Sequence, residues 1–288
     1  MSIIGPGRLG LALGIALSGA GYEIVSLVGR SRQKLQTTSG NLDASTRFLV
    51  TKELAKGPLG NLIIVAVPDD QIVEVGRSLA PLTIASRRTI LHTSGALSSD
   101  IFGPLAAKGW HTGSIHPLAS VSDPIAGVDA LRNAYWCIEG DRVATSVARR
   151  VVRDLGGRSF SIKSNDKPLY HAAAVMCSGN MTALFDVALG MLEKCGVSRR
   201  NAQKMLLPLL ESNTLNLSRM VPEDALTGTF ARGDVETVKL HLTGLRKKQL
   251  VEALELYRLL GDHALQLVRE RIGDDTAKEI ERRLRDRS

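Results

Sequence analysis

The chain has 288 residues, 44% of them hydrophobic, with a formal charge of +8 from 37 basic and 29 acidic side chains. That length favours two cores over one. The basic residues are dispersed and aromatics make up only 4%, which argues against nucleic-acid binding and for an anionic small-molecule ligand.

The first element carries the most information. Gly5-Pro6-Gly7-Arg8-Leu9-Gly10 follows an apolar stretch of four residues, opens a helical run that ends at Gly19-Ala20-Gly21, and leads to a second strand from Glu23 to Val28. This strand–turn–helix–strand context makes the glycine pattern a dinucleotide fingerprint. Gly5 permits a tight turn, Gly7 lets backbone approach a pyrophosphate, and Gly10 lets the helix lie close to the strand. The helix N-terminus then offers unpaired N–H groups and a positive dipole end to the anion. Only four residues precede Gly5, so a short first strand is expected. No basic n-region precedes the apolar run, and the start reads as a fold element rather than a signal peptide.

An acidic residue closing the second strand would accept hydrogen bonds from an NAD ribose. The chain instead reads Val28-Gly29-Arg30-Ser31-Arg32. Cationic and hydroxyl donors suit a ribose 2′-phosphate, so NADP (NADPH) is expected over NAD, with Arg30 and Ser31 in contact.

Further strands are expected at 61–67, 89–92, 113–116, 135–139 and 158–163, with helices at 71–79, 98–108 and 142–155. This alternation implies α/β architecture: a doubly wound, mainly parallel Rossmann sheet. From Asp166 onward long helical periods take over, at 168–195, 198–220, 245–271 and 275–287. The division is therefore a dinucleotide-binding domain over 1–163 and an all-helical substrate or dimerisation domain over 164–288. Within the latter, Gly233 should break one helix and Asp234 cap the next.

Ligands of open α/β sheets bind beyond the carboxyl ends of the strands. Val67 and Pro68, Ser94, and His116 each follow a strand there. Ser94 reads either as a donor near nicotinamide or substrate, or as a helix cap; His116 reads as a substrate contact or a structural histidine. His111 and His116 point to opposite strand faces, and the three cysteines, Cys137, Cys177 and Cys195, are scattered, so no metal or disulfide framework is expected. The cysteines read as small buried hydrophobes. The apolar stretch Ala172–Leu192 is interrupted by Asn180 and Asp186, and is expected to be a helix buried on most sides, in a soluble cytoplasmic protein without membrane partners.

The segments GPGRLG, VAVPDD, HTSGAL, GSIHPL, YHAAAVMCSGN and LTGTFARGDVETVKLHL together resemble the Rossmann-like oxidoreductases with a helical C-terminal domain of unknown function. More distantly the chain is similar to pyrroline-5-carboxylate reductase, ketopantoate reductase and the 6-phosphogluconate dehydrogenase superfamily. The resemblance implies an NADP-dependent reductase with a dimerising helical domain, acting on a small substrate such as a 2-oxo acid of the ketopantoate type. Superfamily relatives place a Lys and an Asn one turn apart on the first helix after the sheet. This chain departs from that pattern. At about 100° per residue, Lys167, His171 and Ser178 share one helix face, whereas Asn180 falls opposite His171 unless Gly179 permits a bend. His171 is thus the expected proton donor, with Lys167 orienting an anionic group, Ser178 and Ser94 as supporting donors, and His116, Asn180 and Arg232 as substrate contacts. A non-catalytic NADP-binding regulatory or interaction protein is the competing class.

Overall fold

The computed structural model describes residues 1–31, 33, 42–54, 57–82 and 88–286; Arg32 lies outside them. By packing, the chain divides into Met1–Ser178 and Gly179–Ser288.

The first unit is built on an eight-stranded sheet in the order β3-β2-β1-β4-β5-β6-β7-β8. Its strands are β1 (Ser2–Ile4), β2 (Ser26–Gly29), β3 (Arg47–Val50), β4 (Leu62–Val65), β5 (Thr89–His92), β6 (His111–Pro117), β7 (Tyr135–Gly140) and β8 (Arg158–Phe160). All neighbours are parallel except β6 and β7. The helices are α1 (Arg8–Gly19), α2 (Asp69–Leu79), α3 (Gly103–Ala106), α4 (Ala126–Leu131), α5 (Arg142–Asp154) and α6 (Lys167–Met176).

Strand side chains alternate between two cores. Ile3 and Ile64 join α1 and α5 on one face, with Leu13, Leu17, Val151 and Val152, whereas Ile4, Ile63 and Val65 join α2 on the other, with Ile72, Val75 and Leu79. Period-two alternation with both faces covered is the signature of a doubly wound sheet. The order reverses between β1 and β4, which makes the crevice at their carboxyl ends the switch point of the fold.

Two elements of this unit escaped the sequence reading. β3 is a four-residue edge strand of half-buried or exposed residues, too short for a clear alternation. The six-residue α4 buries only Gly127 and Leu131, less than one periodic face.

In the second unit the helices are α7 (Gly179–Glu193), α8 (Arg199–Leu217), α9 (Pro222–Ala225), α10 (Val235–Lys247), α11 (Val251–Ile272) and α12 (Asp274–Arg285). Its core joins Val238 and Leu242 of α10 to Leu265 of α11 and Ile280 and Leu284 of α12. Gly233 takes φ +63° and Asp234 accepts from the Thr237 N–H at 3.0 Å, breaking the chain direction and capping α10.

Three expectations are corrected. The helical period over 168–195 divides into α6 and α7 at Cys177–Ser178, where the Ser178 Oγ turns back to donate to the Ala174 carbonyl at 2.7 Å. The apolar stretch is not buried on most sides: within α7 only Leu189 is buried. By length and composition Ser164–Glu193 could cross a membrane, yet 6% of its most apolar window is buried. Hydropathy reports composition and not what covers it. For the same reason Cys177 and Cys195 are exposed, and only Cys137 is a buried hydrophobe.

Candidate functional site

A cleft of about 370 Å³ opens at the carboxyl ends of β1, β4, β5 and β6. It is lined by Gly7, Arg8 and Leu9 from the first turn, Ala66 to Asp69 after β4, Thr93 to Gly95 after β5, His116 and Pro117 ending β6, and His171 of α6.

The glycine turn is dictated by close contacts. Gly5 sits at φ +101°, donates its N–H to the Val28 carbonyl at 2.9 Å, and would carry a Cβ only 2.4 Å from the Ala66 oxygen. At Gly10 a Cβ would lie 2.0 Å from the Gly5 oxygen. Gly7 has ordinary φ and nothing within 4 Å of a Cβ position. That open approach, at the start of a twelve-residue helix with no acidic side chain in its first turn, is the environment a pyrophosphate requires. These residues fit a dinucleotide. Arg30 is exposed beyond β2 and Ser31 is half-buried, with no carboxylate from Val28 to Ser31.

Behind the cleft lies a buried polar network. Lys167, the first residue of α6, is 0% exposed; its Nζ donates to the Ser94 carbonyl at 3.2 Å and to the Ser114 Oγ at 2.8 Å. Ser114 Oγ donates to Glu139 Oε2 at 3.2 Å, and the same carboxylate accepts from the Ser99 N–H and Oγ at 2.9 and 2.7 Å and from the Ser164 Oγ at 3.3 Å. Burial pulls the Lys167 ammonium below the ordinary lysine range, with Cys137 and Glu139 opposing the shift. Two of the three Nζ donors are taken and Lys167 does not line the cleft, so it anchors α6 and the Ser94 loop. The Lys167→Met protein is expected to lose about 3 kcal/mol, because removing one member of a buried polar set leaves the others uncompensated. The urea midpoint measures this; an unshifted midpoint would remove the anchoring role.

Ser94 is buried, with its Oγ donating to Asp69 at 2.8 Å and accepting the Ala96 and Leu97 N–H groups. It ties the loop after β5 to the first turn of α2. The cap of the next turn is Ser98, whose Oγ accepts from Asp100.

Two imidazoles converge on Gly95. A Cβ there would stand 2.5 Å from His171 Nδ1 and 2.9 Å from His116 Nε2, so only glycine admits both rings. The rings meet edge to face at 5.4 Å, and His171 Nδ1 is buried with no hydrogen-bond partner among the described residues. Burial, then the neighbouring His171 and Lys167, push His116 down to about 4; it is neutral at physiological pH. His92, ending β5, is held down to about 3, mainly by burial.

The expected site residues therefore separate. His171, His116, Ser94, Val67, Pro68, Gly7, Arg8 and Leu9 line one cleft. Ser178 is exposed and bonded to its own helix, because the straight wheel that placed it beside His171 ends at the α6 terminus. Asn180 and Arg232 are exposed residues of the helical unit. Sequence reasoning missed Gly95, Tyr170, Ser114 and Glu139. The HTSG segment after β5 was a signal for Gly95; Ser114 and Glu139 become neighbours only through the β6–β7 register, and Tyr170 only through the packing of α6. Among the described residues no group of metal-ligating side chains occurs.

Compared with known proteins, residues 1–117 match a Rossmann-like domain and residues 134–264 match a domain of unknown function, DUF2520. None of the curated proteins matches the chain. Among solved structures, a protein from Thermotoga maritima is 22% identical at TM-score 0.70, covering 95% of this chain and 98% of that one. One from Bacteroides fragilis, assigned as an NADP oxidoreductase, is 21% identical at TM-score 0.72, covering 92% and 97%. Pyrroline carboxylate reductase from Plasmodium falciparum, solved with NADP bound, is 13% identical at TM-score 0.57, covering 98% and 97%.

Proposed function

We propose, from a chain whose residues 1–117 match a Rossmann-like domain and whose residues 134–264 match DUF2520, that the protein is an NADP-dependent oxidoreductase acting on the carbonyl or imine carbon of a small, carboxylated substrate. The observation that carries this reading is a single cleft in which an open glycine turn at a helix N-terminus faces two converging imidazoles, His116 and His171. The first feature suits a pyrophosphate and the second suits proton delivery to a developing oxyanion or amine.

When bound, the reduced nicotinamide supplies the hydride. Gly7 and the first N–H groups of α1 hold the phosphates, and Arg30 with Ser31 meets the 2′-phosphate. His171 delivers the proton, and the neutral ring of His116 donates a hydrogen bond to the reacting heteroatom. A 2-oxo acid of the ketopantoate type is the leading substrate by analogy. The NADP-bound and NADP-assigned relatives support the cofactor choice.

The same reading makes the protein a cytoplasmic homodimer. Leu209 at 68%, Met205 at 59% and Leu240 at 70% exposure, with the uncovered α7, leave more apolar surface on the helical unit than a monomer usually presents.

The experiment is a fluorescence titration with NADPH and NADH on the wild type and Arg30→Ala. NADPH should bind more tightly, and the variant should lose about tenfold in NADPH affinity with NADH unaffected. Absence of binding of either would overturn the cofactor assignment. Binding without turnover of any 2-oxo acid or cyclic imine would move the protein to the non-catalytic class.

A further inference from the structure

His116 and Cys137 are cross-strand partners in the antiparallel β6–β7 pair, and Tyr170 of α6 reaches both. The Tyr170 hydroxyl lies 2.7 Å from His116 Nδ1, with the Cys137 thiol as its other polar neighbour. Its ring is held edge-on by Phe160 at 5.8 Å and by His116 at 5.5 Å. We propose that Tyr170 is a positioning residue: by donating to His116 Nδ1 it fixes the imidazole as the Nε2–H tautomer and aims a neutral hydrogen-bond donor into the cleft.

The direction of the chain follows from acceptor strength. A neutral imidazole has one donor and one acceptor nitrogen, and the bond made by one nitrogen decides which carries the proton. The Tyr170 hydroxyl can donate once, to the imidazole nitrogen or to the thiol sulfur, and sulfur is the weaker acceptor. Burial keeps the thiol protonated. Tyr170 therefore donates to His116. Burial raises the Tyr170 hydroxyl above its ordinary range, which keeps the donor proton in place. The groups facing His116 are Tyr170, His171 and Lys167, all on α6, and Cys137 on β7. Both charged forms that these neighbours could adopt, imidazolium and ammonium, disfavour a second proton on His116.

A donor that carries no charge discriminates among ligands. It meets the lone pair of a carbonyl oxygen or imine nitrogen, and it offers a protonated amine nothing to accept its N–H. The use of that donor rests on the reductase reading; the tautomer itself does not.

The test is nitrogen NMR of protein carrying ¹⁵N-labelled histidine, without cofactor, with His116→Gln identifying the signals. In the wild type at neutral pH, His116 Nδ1 is expected at the unprotonated imidazole position and Nε2 at the protonated one. In Tyr170→Phe the two signals should move toward each other as the tautomers mix, with roughly a tenfold loss of tautomer preference for one lost hydrogen bond. A protonated Nδ1 or a charged ring in the wild type would overturn the proposal, and so would a His116 spectrum unchanged in a folded Tyr170→Phe. Should that variant fail to fold, the wild-type spectrum decides alone. A protein that shows the Nε2–H tautomer but binds no NADPH keeps this assignment and loses only the reductase reading.

Discussion

Gly10→Ala is expected to destabilise the protein by about 3 kcal/mol or more and to abolish NADPH binding, whereas Gly7→Ala, at the N-cap of α1, should cost at most about 1 kcal/mol of stability and weaken binding. At Gly10 the added methyl would stand 2.0 Å from the Gly5 carbonyl oxygen and 3.2 Å from the Ala66 Cβ. The obstacle is backbone, which cannot rotate aside as a side chain can. Helix α1 would have to lift away from the turn, taking Leu11, Leu13 and Leu17 out of register with the core they join, and overpacking of this kind costs about 1–3 kcal/mol before any loss of core contacts. At Gly7 φ is −72° and the methyl meets nothing within 4 Å. Beyond a small capping cost, its effect is to occupy the approach of a pyrophosphate. Thermal melts and NADPH titrations on the two variants separate fold from ligand. Equal NADPH affinity in wild type and Gly7→Ala would remove the phosphate from this turn.

The second large effect is acid sensitivity. His116 and His92 are held at about 4 and about 3 in the folded chain, against about 6.5 in an unfolded one. Both folded values are depressed, so the unfolded state binds more protons throughout this interval. The stability is complete above about pH 6.5 and is lost as the pH falls, by up to about 1.4 kcal/mol per pH unit for each imidazole. For His116 the loss ends near 4 and for His92 near 3. Urea unfolding at about pH 7.5 and about pH 5 should show this slope, and His92→Asn should flatten it by up to half. Asparagine retains an acceptor for the Ser94 N–H, which His92 Nδ1 meets at 3.2 Å, while removing the titrating ring. A slope identical in wild type and variant would show that His92 does not remain neutral in the fold.

Features that depend on local geometry were legible in the residues. The turn Gly5–Gly10 could be read because each glycine answers a backbone requirement within six positions. The strands β4 to β7 could be placed as short runs bounded by turn residues, which the sheet buries on both faces, and α2 and α5 because their buried residues recur at helical spacing. The break at Gly233 and the cap at Asp234 follow the same logic. The site was legible only in part. His116 and His171 could be named as polar groups at a strand end and on the following helix. Yet the same wheel that singled out His171 also selected Ser178, which lies past the helix end, and Lys167, which is buried behind the cleft.

What sequence alone determined is thus the Rossmann order of elements, the glycine turn and the absence of an acid after β2, since these are properties of neighbouring residues. Tertiary structure decided the rest. Whether Lys167 faces substrate or anchors a loop depends on Ser94 and Ser114, more than fifty positions away. Whether His116 donates or accepts depends on Tyr170 and on the β6–β7 register that sets Cys137 opposite it. Whether an apolar helix is buried depends on what packs against it. Such contacts are fixed by the hydrogen-bond register of the sheet and by packing between distant segments, and neither leaves a periodic trace along the chain.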